Sequence, residues 1–151
     1  MARTRLTDSE MRAWQALLHA HHHVVRTLDT ELRHQHGLPL AAYDVLLRLA
    51  RAPARSLRMS DLAERVLLSP SGLTRMVDRL EAKDLVERKA DPEDGRVALA
   101  VLTPEGERAV KRAALTHLKG IRTHFTGRLS ERQLGDVASG LEAITGPHAP
   151  H

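Results

Sequence analysis

The sequence predicts a mainly α-helical chain with one small β-hairpin, and three observations predict it. Two helical periodicities meet at a Ser-Pro break between Arg58 and Val86. Two β-prone runs follow, Leu85 to Ala90 and Val97 to Leu102, about an Asp-Pro-Glu-Asp-Gly-Arg turn. Helix-start signals then recur on both sides of this centre. The central order is helix, turn, helix, strand, loop, strand. That is the layout of a winged helix-turn-helix, with the hairpin as its wing.

Each element has a local reason. Thr7-Asp-Ser-Glu10 is a capping box that opens a long helix running towards Gly37, with Leu17, Leu18, Val24, Val25, Leu28 and Leu32 as its apolar positions. Pro39 starts a second helix through about Arg51, which Ala52-Pro53 ends. Ser60 is the expected N-cap of a short helix whose apolar face is Leu62, Ala63, Val66 and Leu67. Ser69-Pro70 restarts the chain as a helix, and Leu73, Met76, Val77 and Leu80 at i, i+3, i+4 and i+7 form its buried face. After the hairpin, Thr103-Pro104 caps a helix to about Gly127, and Ser130-Glu-Arg-Gln133 opens a last one to Thr145. No repeat, low-complexity tract or linker divides the 151 residues. A single domain over 1–151 is expected, with the winged helix at about 55–103 and flanking helices at about 7–36 and 104–145 that pack with a second subunit.

The exposed face of the helix after Ser69 carries Ser71, Gly72, Thr74, Arg75, Asp78 and Arg79. Small residues and hydroxyls there let a helix end approach base edges in a major groove. Arg75 suits a guanine, and Ser69 and Ser71 suit phosphates or bases. Arg96, just past the hairpin tip, suits a narrow minor groove, with Asp94 holding it by charge pairing. The net charge of +4 fits a polyanionic partner. Yet residues 55–96 carry nine Lys and Arg against nine Asp and Glu. Binding then requires segregated charge, with Arg75, Arg79, Arg88, Lys89 and Arg96 towards DNA. The bland alternatives are an amphipathic helix with a solvated face and a surface hairpin with scattered charge.

Asp91-Pro-Glu-Asp-Gly-Arg-Val-Ala-Leu-Ala-Val-Leu-Thr-Pro-Glu-Gly106 resembles the wing signature of the MarR family of bacterial transcriptional regulators, an Asp-x-Arg followed by a strand ending in Leu-Thr-x-x-Gly. Those positions are Asp94, Arg96, Leu102, Thr103 and Gly106 here. Gly37 to Leu46 resembles the family's second helix and Leu73 to Leu85 its recognition helix, a likeness covering about residues 5 to 145. The resemblance implies DNA contacts at Ser69, Ser71, Thr74, Arg75, Arg79 and Arg96, and a dimer formed by the N- and C-terminal helices. It also implies a small-molecule effector, often phenolic. The expected function is a homodimeric, sequence-specific reader of a palindromic double-stranded operator, a repressor released by an effector, with activation as the alternative. Trp14, Tyr43, Arg58 and His117 are candidates to line the effector pocket, Trp14 and Tyr43 being readable equally as core.

Composition bounds the rival readings. Aromatics are 2% (Trp14, Tyr43 and Phe125), which disfavours single-strand binders that stack bases on aromatic platforms. The absence of cysteine excludes thiolate catalysis, disulfides and cysteine zinc sites. No run of 18 apolar residues occurs and the N-terminus is polar, so neither a membrane partner nor a secretory signal is expected and the location is cytoplasmic. An enzyme is not expected: Gly-x-Ser-x-Gly, phosphate-loop and Gly-x-Gly-x-x-Gly motifs are missing. Carboxylates read as surface pairs, Asp61 with Arg65 and Asp78 with Arg75. The histidines offer other chemistry, because His19 and His23 have the i, i+4 spacing of a shared metal and His117 supplies a third ligand if the helices pack. His19, His21, His22 and His23 cover more than one helix face, so they cannot all converge. No cofactor is expected, with a regulatory zinc on His19, His23 and His117 as the alternative.

Overall fold

Among the described residues, nine α-helices and β-strands follow one another in a computed structural model: α1 (Asp8–His36), α2 (Leu40–Arg51), β1 (Ser56–Arg58), α3 (Met59–Arg65), α4 (Pro70–Ala82), β2 (Val86–Ala90), β3 (Ala98–Leu102), α5 (Pro104–His124) and α6 (Glu131–Thr145), with 3-10 turns at Pro53–Arg55 and Thr126–Arg128. The structure describes residues 5–66 and 68–146. The chain divides into two compact units, one of residues 28–117 and the other of the stretches before and after it. No helix among the described residues is long and apolar enough to cross a membrane.

The unit of residues 28–117 holds the core. Leu46 and Leu49 of α2, Leu62 of α3, and Leu73, Val77 and Leu80 of α4 are all at most 2% exposed. They pack in one cluster with Val86 of β2 and with Ala100 and Leu102 of β3. The two-residue period of a strand puts Ala100 and Leu102 on the same buried face and leaves Ala98 at its exposed end. The sheet is antiparallel in the order β1-β3-β2, with Leu57 opposite Ala100 and Val86 opposite Leu102. β1 is an element the sequence does not signal, since three residues have no measurable period. Because Ser56–Arg58 is taken into the sheet, α3 begins at Met59. Ser60 therefore lies inside its first turn, and the N-cap position falls to Arg58, whose side chain makes no cap. Of the expected apolar face of α3, Leu62 and Val66 are buried; Leu67 lies outside the described residues.

Helix ends are tied by side chains. α1 stops at Gly37, whose left-handed backbone (φ 63°) suits a residue without a Cβ. Pro39 offers α2 no side-chain cap. The Leu40 amide donates instead to Asp29 Oδ1 on α1 at 2.9 Å. Lys83, just past α4, donates to the Gly37 carbonyl at 3.2 Å. The tightest junction joins α5 to the α4–β2 turn. Thr103 Oγ1 accepts from the Gly106 amide at 3.0 Å and donates to the Asp84 carbonyl, while the Thr103 amide donates to the Leu85 carbonyl at 3.2 Å. A Cβ on Gly106 would collide with that Leu85 carbonyl oxygen and with Leu102.

In the other unit, Thr7 and Glu10 exchange the two hydrogen bonds of a capping box, and Ser130 and Gln133 do the same for α6. α5 ends at His124, before the expected Gly127, which lies in a short 3-10 turn. Apolar side chains are open to solvent in the single chain, among them Trp14 (53% exposed), Leu118 (62%) and Ile144 (73%). Of the apolar positions expected along α1, Leu28 and Leu32 are buried, both in the first unit, whereas Leu17, Leu18 and Val25 are exposed.

Gly106→Ala is expected to lower the unfolding free energy by about 1–3 kcal/mol, since the obstacle is backbone that cannot step aside. Urea unfolding measures it, and an unchanged midpoint would remove this close approach as a constraint.

Candidate nucleic-acid interface

α4 is built to bury one face and present the other. Ser69 accepts the Gly72 amide at 3.1 Å and Pro70 occupies the first turn, so the helix start is fixed locally. Leu73, Val77 and Leu80 turn inward, and Ser71, Thr74, Arg75, Asp78 and Arg79 are exposed on the opposite side. The Ser69 and Ser71 hydroxyls lie 3.3 Å apart at the helix start. Thr74 Oγ1 donates to the Pro70 carbonyl at 3.0 Å and keeps its lone pairs for an outside donor. Gly72 is half-buried, its amide is spent on Ser69, and a Cβ there would press on Ser69 Oγ. Arg75 and Arg79, one turn apart, have no ion-pair or hydrogen-bond partner among the described residues.

Arg88 of β2 points back onto this helix. Its Nη1 donates to Asp78 Oδ1 at 2.6 Å and its Nη2 to the Thr74 carbonyl at 3.1 Å. Glu81 Oε1 lies 3.7 Å from Nη1, and Glu81 Oε2 accepts the Arg88 amide at 2.8 Å. Asp78 therefore pairs with Arg88 and not with Arg75, and Asp61 forms no ion pair with Arg65. Arg65, at the end of α3, likewise has no ion-pair partner among the described residues, although its spacing from Asp61 suggests one. Lys89, on the other face of β2, makes an exposed 3.3 Å pair with Glu87 that holds it only weakly.

The wing hangs on Asp91, which is 8% exposed. Its Oδ1 accepts the Glu93 amide at 2.9 Å, and its Oδ2 accepts Arg58 Nε at 3.1 Å with Nη2 at 2.9 Å. The Glu93 amide first, and the Arg58 guanidinium with it, hold this carboxyl below the usual carboxylate range against the opposing effect of burial. An Asp whose side chain caps the amide two residues on is a local turn signal, and Asp91-Pro92-Glu93 carries it. Arg58 belongs to this anchor. At the tip, Asp94 Oδ1 accepts the Arg96 amide at 3.1 Å and Arg96 Nε at 3.4 Å. The Arg96 side chain is 94% exposed.

Tyr43 of α2 and His117 of α5 meet with ring centroids 4.8 Å apart, inclined at 49°. His117 Nδ1 is buried and has no hydrogen-bond partner among the described residues. Burial pushes the His117 pKa down, opposed by the nearby Asp44 carboxylate, and burial pushes the Tyr43 hydroxyl up. Trp14 stands exposed in the other unit, as do His19 and His23. Among the described residues no group of three or more His, Asp or Glu side chains is placed to hold a metal ion.

The folded state favours neutral His117, so its contribution is intact above the ordinary histidine value and is lost as pH falls through the depressed one. Unfolding free energy should therefore fall as pH is lowered below the ordinary histidine value. His117→Phe, which keeps a ring against Tyr43, should flatten part of that fall in parallel denaturant titrations. An equal slope in the two proteins would place the proton uptake elsewhere.

Residues 36–97 match the model of the MarR family. The chain is similar to the HTH-type transcriptional regulator MhqR of Bacillus subtilis, 30% identical over 101 residues that cover 67% of this chain and 68% of that protein. It is also similar to the HTH-type transcriptional repressor MdtR of the same organism, 36% identical over 83 residues, or 55% of this chain; that match spans about half of the relative's length, 53%. Among solved structures it resembles AbsC of Streptomyces coelicolor, a MarR family transcriptional regulator (31% identity, TM-score 0.88, 95% of this chain and 96% of that one). It likewise resembles Sco3205 of that organism, a MarR family regulator in complex with DNA (30% identity, TM-score 0.89, 98% and 93%). With the helix-turn-helix, the wing and near-complete structural correspondence in agreement, the chain belongs to the MarR family of DNA-binding, winged-helix transcriptional regulators.

Proposed function

We propose that this protein is a homodimeric, cytoplasmic repressor that reads a palindromic double-stranded operator and is released by a small molecule. One observation carries the reading. α4 presents Arg75 and Arg79, without partners among the described residues, beside the hydroxyls of Ser69, Ser71 and Thr74, while Asp78 and Glu81 of the same helix are ion-paired to Arg88. In this reading α4 enters a major groove, with Arg75 on a base edge and the hydroxyls on phosphates or bases. Arg79 and Lys89 meet the backbone, and Arg96, steered by Asp94, enters the adjacent minor groove. The relative named a repressor and the neighbour in complex with DNA support the same assignment.

The dimer rests on the exposed apolar side chains of α1, α5 and α6, which a second copy would cover. We assign the winged helix to about residues 55–103 and the dimerisation helices to about 7–36 and 104–145. Two copies would set their α4 helices about 34 Å apart, one DNA turn. An effector acts only through its affinity difference between DNA-competent and released states. Tyr43 and His117 are the residues we assign to its side.

Selection from a random duplex library with the purified protein should enrich a palindrome with half-sites about one turn apart. No enrichment at low salt would sink the DNA reading. Arg75→Ala should then relax preference at one base position per half-site by about 1–3 kcal/mol, whereas an equal loss on every sequence would make Arg75 a phosphate contact. Arg96→Ala should weaken binding without altering stability, and parental affinity would remove the wing from the interface. Sedimentation should give a dimer that Leu118→Arg with Ile144→Arg splits; a parent that sediments as a monomer would overturn the assembly.

A further inference from the structure

We propose that Arg88 is the internal counter-charge of the reading helix, a positioning residue that never touches DNA. The inference rests on the reading that α4 lies in the major groove. Thr74, Asp78 and Glu81 fall at i, i+4 and i+7 and make one stripe along α4, and Arg75 and Arg79 make the stripe beside it. Asp78 and Glu81 are 58% and 43% exposed, so a duplex laid on this face meets two carboxylates next to the two arginines. Arg88 comes from the neighbouring strand, is only 27% exposed, and spans the whole stripe. One amino group serves Asp78, the other the Thr74 carbonyl, and its backbone amide serves Glu81.

Two of the five guanidinium N–H groups are spent on Asp78 and the Thr74 carbonyl, and a phosphate that drew the group off Asp78 would bare that carboxylate beside itself. The exchange replaces one charge-assisted bond by another and adds a repulsion. Left in place, Arg88 cancels the acids, so that the positive charge of Arg75 and Arg79 dominates the face. It also braces the helix against the first strand of the wing. Lysine cannot substitute fully, because a single ammonium lacks the fork that bonds Asp78 and the Thr74 carbonyl together.

The test is a cycle of duplex affinities, measured by fluorescence anisotropy at one salt concentration on the duplex enriched from the random library. It compares the parent, Arg88→Ala, the Asp78→Asn/Glu81→Gln double variant and the triple variant. Arg88→Ala should weaken binding about tenfold, as expected when the cation beside two carboxylates within a Debye length of phosphates is removed. In the neutralised background the same change should cost less than about twofold. A direct phosphate contact predicts an equal or larger loss in that background, since the freed guanidinium would then serve DNA alone. A mere brace predicts an undiminished loss as well, because the side-chain amide oxygens and the Thr74 carbonyl still accept from Arg88 in that background and its removal still breaks the brace. Either result overturns the proposal. Thermal melts establish folding, and if Arg88→Ala does not fold, the cycle is run with Arg88→Gln. Arg75→Ala separates the two layers of inference. If it binds as tightly as the parent, the helix assignment fails and the proposal with it; if it weakens while the cycle is additive, only the role of Arg88 falls.

Discussion

A segment with as many carboxylates as basic side chains can face a polyanion only where its acids are cancelled in place. Residues 55–96 carry nine of each, and the fold meets this constraint by pairing across elements. Arg58 of β1 takes Asp91 of the wing, Arg88 of β2 takes Asp78 and Glu81 of α4, and Asp94 is held beside Arg96. Each pair joins or shapes the very elements that present the remaining arginines. Exposed ion pairs add little to stability, so their value here is geometric: they decide which charges look outward. Position in the sheet makes this possible, because β3 sits between β1 and β2 and brings both anchoring arginines to one module.

How much of this was legible in the chain follows from the range of each interaction. Ser69-Pro70 and Ser130 with Gln133 mark helix starts correctly because a cap is decided within four residues. The hairpin was legible for the same reason, its turn residues and flanking runs being contiguous. β1 was not, since a three-residue strand exists only through pairing with a strand more than forty positions away. Asp29 capping Leu40 spans 11 positions, Arg88 to Asp78 spans 10, and Arg58 to Asp91 spans 33. Spacing at i, i+3 or i+4 suggests local partners for Asp78 and Asp61, and tertiary geometry overrides one while leaving the other without an ion pair among the described residues. The sequence therefore shows the arginines of this segment but cannot sort those that face outward from those that anchor.

The two compact units differ in what a single chain can bury. Residues 28–117 close a leucine, valine and alanine core around β3, with Tyr43 as its one aromatic residue. The flanking stretches carry Trp14, Leu118 and Ile144 largely in solvent. An amphipathic helix with an uncovered apolar face is stable only with a partner for that face. The aromatic poverty of the chain sharpens this contrast, because only three large rings are there to help close a small core.

The junction of Thr103 and Gly106 with the Asp84 and Leu85 carbonyls leaves the two ends of the hairpin unequal. At its root, where β2 leaves α4 and β3 enters α5, backbone lies against backbone and an added residue has nowhere to go. At its tip, residues 92–96 are mostly exposed and held by short-range bonds to Asp91 and Asp94. Insertions and deletions should accordingly be accepted at the tip and rejected at the root. Related chains can then diverge in wing length and reach while the tilt of α4 stays fixed, so the two exposed surfaces of the module vary independently.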